Sequence, residues 1–209
     1  MFNYQKLSRL NYFLLKFTSL LIVTCGINIS LSAKAIAPIA KLSAQEQAIL
    51  NQGQVILKGK RGDYTGQVLA IGSVDTAWQV LTDYNNFNQF LPNVPASKVI
   101  VDEGDRKIFE QTNAIDLWFF TEEFTVQIEA RETKPQKIDF KLFKGDLKHL
   151  SGTWSIQRIN AKQIKVTHTV KVEPQSNTEK PFFYGIYEST LEKTLAAIAT
   201  EITNRSQTK

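Results

Sequence analysis

Near the C-terminus, Phe183, Tyr187, Leu191, Leu195, Ile198 and Ile202 recur three or four residues apart. That spacing lines them along one face of an α-helix. Glu188, Glu192, Lys193, Glu201 and Arg205 lie largely off the stripe, and Pro181 suits a first helical turn, where its missing N–H would have no partner. A long helix over residues 181–205 is expected, and its apolar face needs something to pack against. Most of the chain before it follows the period of two that marks strands. Phe124, Val126, Ile128 and Ala130 alternate with Thr125, Gln127, Glu129 and Arg131. Ile138, Phe140 and Leu142 alternate with Asp139 and Lys141, and Ile164, Val166, Val170 and Val172 with Lys165, Thr167, Thr169 and Lys171. Such strands form a sheet with one wet face and one apolar face, and the helix is the natural cover of the apolar one.

The remaining elements follow from turn and cap signals. Ser43 with Glu46 three residues on is a capping box that opens a short helix ending near Gly53. Strands are expected over 54–59 and 64–71, with Arg61-Gly62-Asp63 between them as a hairpin turn rather than as the cell-adhesion tripeptide it spells. Ser73 or Asp75 caps a helix carrying Ala77, Trp78, Val80, Leu81 and Tyr84, which breaks at Asn85-Asn86 before a second short helix with Phe87, Phe90, Leu91 and Pro92. Six further strands are expected over 96–101, 107–114, 118–131, 138–143, 153–159 and 163–172. Residues 145–152 read as a polar loop and 174–180 as a polar connector. No internal repeat is visible.

The N-terminus has a different character. Lys6, Arg9 and Lys16 precede an apolar run over 17–29, followed by the small-x-small triplet Ala33-Lys34-Ala35. This is the pattern of a signal peptide over 1–35, cleaved after Ala35. The run is short of the roughly 20 apolar residues of a spanning helix, though an uncleaved membrane anchor is the alternative. Cys25 follows Leu21-Ile22-Val23-Thr24, but Thr24 is larger than the residue a lipidation box places there. The expected organisation is a signal peptide (1–35), a leader and short helix (36–53), one domain (54–205) and a disordered tail (206–209), destined for an extracytoplasmic compartment.

Cleavage changes the charge picture. The chain has 25 basic and 20 acidic side chains, and the segment removed carries Lys6, Arg9, Lys16 and Lys34 with no acid. The mature part is nearly neutral, so no basic footprint for nucleic acid survives. It also loses Cys25, the one cysteine, which excludes disulfides, thiol catalysis and zinc-cysteine sites. Glycine-rich phosphate loops, a G-x-S-x-G elbow and H-E-x-x-H are all missing. Two histidines far apart in sequence make a poor metal set, and neither metal nor cofactor is expected.

The order of elements resembles the START-like (SRPBCC) superfamily, an α+β helix-grip fold in which a curved antiparallel sheet, with two short helices after its first strands, wraps around a long C-terminal helix. Two phrases sharpen the resemblance. Residues 74–84, Val74-Asp75-Thr76-Ala77-Trp78-Gln79-Val80-Leu81-Thr82-Asp83-Tyr84, followed by Phe87 and Phe90-Leu91-Pro92, look like a segment of its coenzyme-Q-binding and polyketide cyclase/dehydrase branch. Gly145-Asp146-Leu147-Lys148 with Leu150, Gly152 and Trp154 looks like that branch's loop into a late strand. The resemblance covers about residues 54–203. It implies a ligand between the concave sheet face and the C-terminal helix, walled by Phe90, Leu91, Trp118, Phe120, Phe124, Phe140, Trp154, Val166, Phe183 and Tyr187. A mostly apolar pocket with few polar groups is a usual small-molecule site, while inward aromatics are also ordinary core.

Among polar residues, His168 shares the inward parity of Val166 and Val170. It is either a hydrogen-bonded core histidine or the proton-handling group of a cavity. Glu122 shares parity with Phe120 and Phe124, Arg158 reads as a solvated strand end, Asp83 as a helix cap or breaker, and His149 as a solvated loop residue. The expected function is binding or transfer of a hydrophobic small molecule, a lipid or quinone-like compound. The alternatives are a cyclase/dehydrase using His168 with Glu122 or Tyr187, and a module whose Trp118-Phe119-Phe120 edge makes transient membrane contact.

Overall fold

A computed structural model describes residues 43–117, 120–175 and 180–208. The expected signal peptide, most of the leader, Trp118 and Phe119 lie outside them, as do the side chains of Phe120 and Glu122. The first helix, α1 (Ala44–Asn51), starts as its capping box predicts: Glu46 N donates to Ser43 Oγ (3.2 Å) and Ser43 N to Glu46 Oε2 (2.8 Å). Lys58 pairs with Glu46. Leu50 of α1 packs with Ile56 and Leu69 in a small cluster apart from the main core.

β1 (Ile56–Lys60) and β2 (Asp63–Ile71) form the first hairpin, turning through Arg61 and Gly62 with both φ positive, 54° and 93°. Two left-handed residues give the turn whose twist matches paired strands, which is why a glycine sits there. Ser73 Oγ accepts from Thr76 N (3.0 Å) and caps α2 (Val74–Leu81), and α3 (Phe87–Phe90) follows. Then come β3 (Ala96–Glu103), β4 (Arg106–Leu117), β5 (Phe120–Thr133), β6 (Lys137–Gly145), β7 (Leu147–Arg158), β8 (Gln163–Pro174) and α4 (Lys180–Gln207). The strands make one open antiparallel sheet in the order β1-β2-β8-β7-β6-β5-β4-β3.

The helix stripe is as expected. Leu191, Leu195, Ile198 and Ile202 are buried against the apolar sheet face, together with Ile164, Val166, Val170 and Val172 of β8. The helix comes closest to β2, with lesser contact to α2, α3, β1 and β8 and no comparable backbone approach to β4 through β7. Gly66 of β2 permits this: a Cβ there would collide with Leu195 Cδ1. α4 therefore lies hard on one side of the sheet and stands off from the other.

Three expectations are corrected. Residues 147–152 are not loop but the start of β7, paired with β8 through Leu150–Val172 and Gly152–Val170. Gly152 belongs in that strand because a side chain there would strike the Thr169 carbonyl and Phe140. His149 is accordingly an exposed strand residue, its Nε2 2.8 Å from Ser151 Oγ. α4 runs through Gln207, so 206 and 207 are helix, not tail, and Ser206 Oγ donates to the Ile202 carbonyl. Finally, Glu129 has outward parity yet is only 6% exposed. Arg106 (3.3 Å), Arg131 (3.1 Å) and Lys141 (3.7 Å) surround its carboxylate. The Arg106 hydrogen bond leads in holding its pKa below the usual carboxylate range.

Candidate functional site

Where α4 stands off, a cavity of about 170 Å³ remains between helix and sheet. Its floor is the inward face of β4 to β7, with Phe109, Phe124, Val126, Phe140 and Trp154 among its residues. α4 supplies Tyr187, Thr190, Leu191, Thr194 and Ile198, and the segment from α2 to just past α3 closes one side with Leu81, Tyr84, Phe87 and Leu91. Strand pleat and helix stripe converge here because both turn their apolar sides to one space.

His168 of β8 is the one ionisable nitrogen base among the described wall residues. It is 4% exposed and stacks with Trp154 (centroids 3.8 Å apart, 24° between planes) and with Phe140 (5.4 Å, 14°). Burial pushes its pKa down to about 3, with the neighbouring Thr153 backbone acting in the other direction. The ring is neutral at physiological pH, and its Nδ1 is buried with no hydrogen-bond partner. Beside it, burial raises the Tyr187 phenol above its ordinary pKa. Tyr187 stacks on Tyr64 (5.9 Å) and Phe183 (5.7 Å). Tyr64 donates to Glu188 (2.8 Å) and is pushed up to about 12, first by burial and then by that carboxylate. Tyr84 donates to Glu132 (3.1 Å), whose own pKa burial raises.

The structure brings Leu91, Phe124, Phe140, Trp154, His168 and Tyr187 to the cavity wall. It leaves out three other expected wall residues. Phe90 turns away, edge-on to Phe87 (5.8 Å) and beneath the Arg205 guanidinium (5.4 Å). Val166 is wholly buried core, paired with Val68 next to the strand on which α4 docks. Phe183 packs on Tyr184 and Tyr187 behind the wall. Trp118 and the side chains of Phe120 and Glu122 fall outside the described residues, so the described part of the suggested acid-base set is His168 and Tyr187. Arg158 is an exposed strand end.

Sequence reasoning missed the polar wall. Gln111 and Asn113 of β4 line the cavity, Gln111 Nε2 donating to Asn113 Oδ1 at 2.7 Å. Their signal was parity with buried Phe109. Thr190 and Thr194 lie three and seven residues after Tyr187, on the same helix face. Asp83 does more than break its helix: it accepts from Asn86 Nδ2 (2.7 Å) and pairs with Arg205 Nη2 (2.8 Å), joining the α2 exit to the end of α4. Among the described residues no cluster of three or more His, Cys, Asp or Glu could hold a metal ion, and no helix is long and apolar enough to cross a membrane.

Residues 72–199 match the family model described as polyketide cyclase / dehydrase and lipid transport. A search of curated proteins returned no match. Among solved structures, a protein from Thermus thermophilus superposes with a TM-score of 0.58 at 12% identity, covering 69% of this chain and 96% of its own. A STAR-related lipid transfer protein fragment from Xanthomonas axonopodis gives 0.59 at 16% identity, covering 71% of this chain and 92% of its own. An aromatase/cyclase from a Streptomyces species gives 0.55 at 13% identity, covering 74% of this chain and 94% of its own. At such identities these likenesses establish the helix-grip fold alone.

Proposed function

The chain belongs to the polyketide cyclase/dehydrase and lipid transport family, and on that premise we propose that it is an exported protein that binds or transfers a hydrophobic small molecule, a lipid or quinone-like compound, between the sheet and α4. The observation that carries this reading is the mostly apolar cavity lined by β4–β8, α4 and the α2–α3 segment. Burial drives capture: apolar surface removed from water contributes about 25 cal/mol per Å². Export rests on the pattern of residues 1–35, and membrane contact during loading on the aromatic run at 118–120 together with Phe182, 61% exposed at the start of α4.

Size constrains the mechanism. A cavity of about 170 Å³ compares with the roughly 150 Å³ that accommodates benzene, and small-molecule pockets usually offer about 300–1,000 Å³. A long lipid or isoprenoid tail therefore enters only if α3 or the first turns of α4 move. Protein purified from an exporting cell, measured by native mass spectrometry and by extraction of bound lipid, tests the reading. A co-purifying hydrophobic compound is expected. Protein that arrives empty and binds nothing in a lipid and quinone panel would overturn it.

The cyclase/dehydrase alternative retains one anchor, His168 in the wall with an unpartnered nitrogen. With its pKa lowered to about 3, that imidazole is neutral at physiological pH and only a weak proton acceptor, so the base role requires a bound substrate that raises its pKa. Turnover of a poly-β-ketone by the wild type, abolished in His168→Phe, would favour it.

A further inference from the structure

Along the inward side of β4, Phe109 is followed by Gln111 and Asn113, whereas their partners on β5, Val126 and Phe124, are apolar. A side-chain amide turned toward an apolar space loses water and needs hydrogen bonds in exchange. The two amides supply one to each other, Gln111 Nε2 donating to Asn113 Oδ1 at 2.7 Å. Gln111 Oε1 and Asn113 Nδ2 then have no partner among the described residues. His168 Nδ1 is the one partnerless polar side-chain atom there that is sealed off, so both of these amide atoms are open to contact. Exchanging oxygen and nitrogen in both amides leaves the same spare capacity, one donor beside one acceptor.

No other part of the described wall pairs a free donor with a free acceptor in this way. Tyr84 already donates to Glu132, and Tyr187, Thr190 and Thr194 are single hydroxyls on α4. The described wall also contains no Lys, Arg, Asp or Glu, so a carboxylate or phosphate would lose its water with no countercharge to replace it. We infer that Gln111 and Asn113 are the specificity-determining pair of the cavity, holding the uncharged polar group of a guest whose apolar body packs against Phe124, Phe140 and Trp154. A hydroxyl uses both donor and acceptor and a carbonyl uses the donor, so alcohols and ketones are both taken, while a hydrocarbon leaves the pair unmatched. This rests on the cavity being the binding site. It goes further by naming β4, remote in the sheet from the α4 clamp on β2, as the strand that selects the guest.

Four probes sharing one carbon frame test it on the full chain, labelled with nitrogen-15: ethylbenzene, 1-phenylethanol, acetophenone and phenylacetate. The alcohol and the ketone are expected to bind at least as tightly as the hydrocarbon, and phenylacetate not measurably. In the double variant Gln111→Leu, Asn113→Leu, ethylbenzene should bind as well or better. The alcohol and the ketone should weaken about tenfold relative to it, because their polar group is then buried unpaired. In the unmutated protein, the side-chain amide proton resonances of Gln111 and Asn113 should move downfield, as hydrogen bonding requires, with the alcohol and the ketone and not with ethylbenzene. This readout stands even if the variant fails to fold. A polar-to-apolar preference unchanged in the variant, amides that respond to neither polar probe, or phenylacetate bound as tightly as the ketone overturns the inference and leaves the cavity reading intact. Failure of all four probes to bind overturns both.

Discussion

Arg205 Nη2 lies 2.8 Å from Asp83 Oδ2, so the end of the final helix grips the exit of α2. The same guanidinium reaches Glu201 Oε1 through Nε (2.6 Å) and covers Phe90 at 5.4 Å. Two of these contacts, to Asp83 and Phe90, hold the segment that closes one side of the cavity, while Glu201 braces the guanidinium from within α4. A double-mutant cycle of Arg205→Ala and Asp83→Asn, read by urea unfolding, should give a coupling of about 0.5–1 kcal/mol for this partly exposed pair. Amide exchange in residues 84–91 should quicken in either variant. Coupling near zero with unchanged exchange would mean that the pair does not restrain the segment.

Acid should weaken the fold through His168. Burial sets its folded pKa at about 3, against about 6.5 for a free imidazole. Between those values the unfolded chain holds a proton that the folded chain lacks, so stability increases with pH across that window. The contribution is complete above about pH 6.5 and is lost as pH falls toward 3. Urea unfolding of wild type and His168→Phe between about pH 6.5 and 4 should therefore diverge, with the wild type the steeper, by up to about 1.4 kcal/mol per pH unit. Parallel curves would show that His168 binds its proton equally well in the folded and unfolded chains, so that its pKa is not lowered by folding.

Gly66 and Leu195 form a size-matched contact. Gly66→Ala should destabilise by about 1–3 kcal/mol through overpacking, and Leu195→Ala, a fully buried position, by about 2–5 kcal/mol. Because each change relieves the other, the double variant should be less destabilised than the sum of the singles. Additive losses in thermal or urea unfolding would contradict the contact.

Phe183 and Tyr187 are one helical turn apart and differ in role. Tyr187 lines the cavity and Phe183 does not. Tyr187→Ala should change affinity for a ring probe several-fold, whereas Phe183→Ala should cost about 1–2 kcal/mol of stability, as a half-buried ring, with affinity nearly unchanged. Equal effects of the two on probe titrations would redraw the wall.

Much of this was legible because strands covered on one side must alternate. The parity of Phe124, Phe140, Trp154 and His168 identified the inward face, and α4 lies on that face. Periodicity does not say which part of that face the helix covers. Val166 therefore shares parity with His168 yet is core, since it pairs with Val68 beside the docked strand. Composition misled at residues 147–152, where glycine read as loop serves strand packing across to Thr169 and Phe140. It misled again at Gln111 and Asn113, whose polarity hid a parity shared with Phe109. Glu129 departs from its wet face because three cations gather over its carboxylate, a tertiary arrangement with no sequence period.

The lopsided seating of α4 separates two duties. Its clamp is on β2, at Gly66 and Leu195, while the walls of the guest space are on β4 to β7. Substitutions at Phe124 or Phe140 can thus retune which molecules fit without loosening the clamp, so the same frame can acquire a new repertoire of guests while keeping its stability.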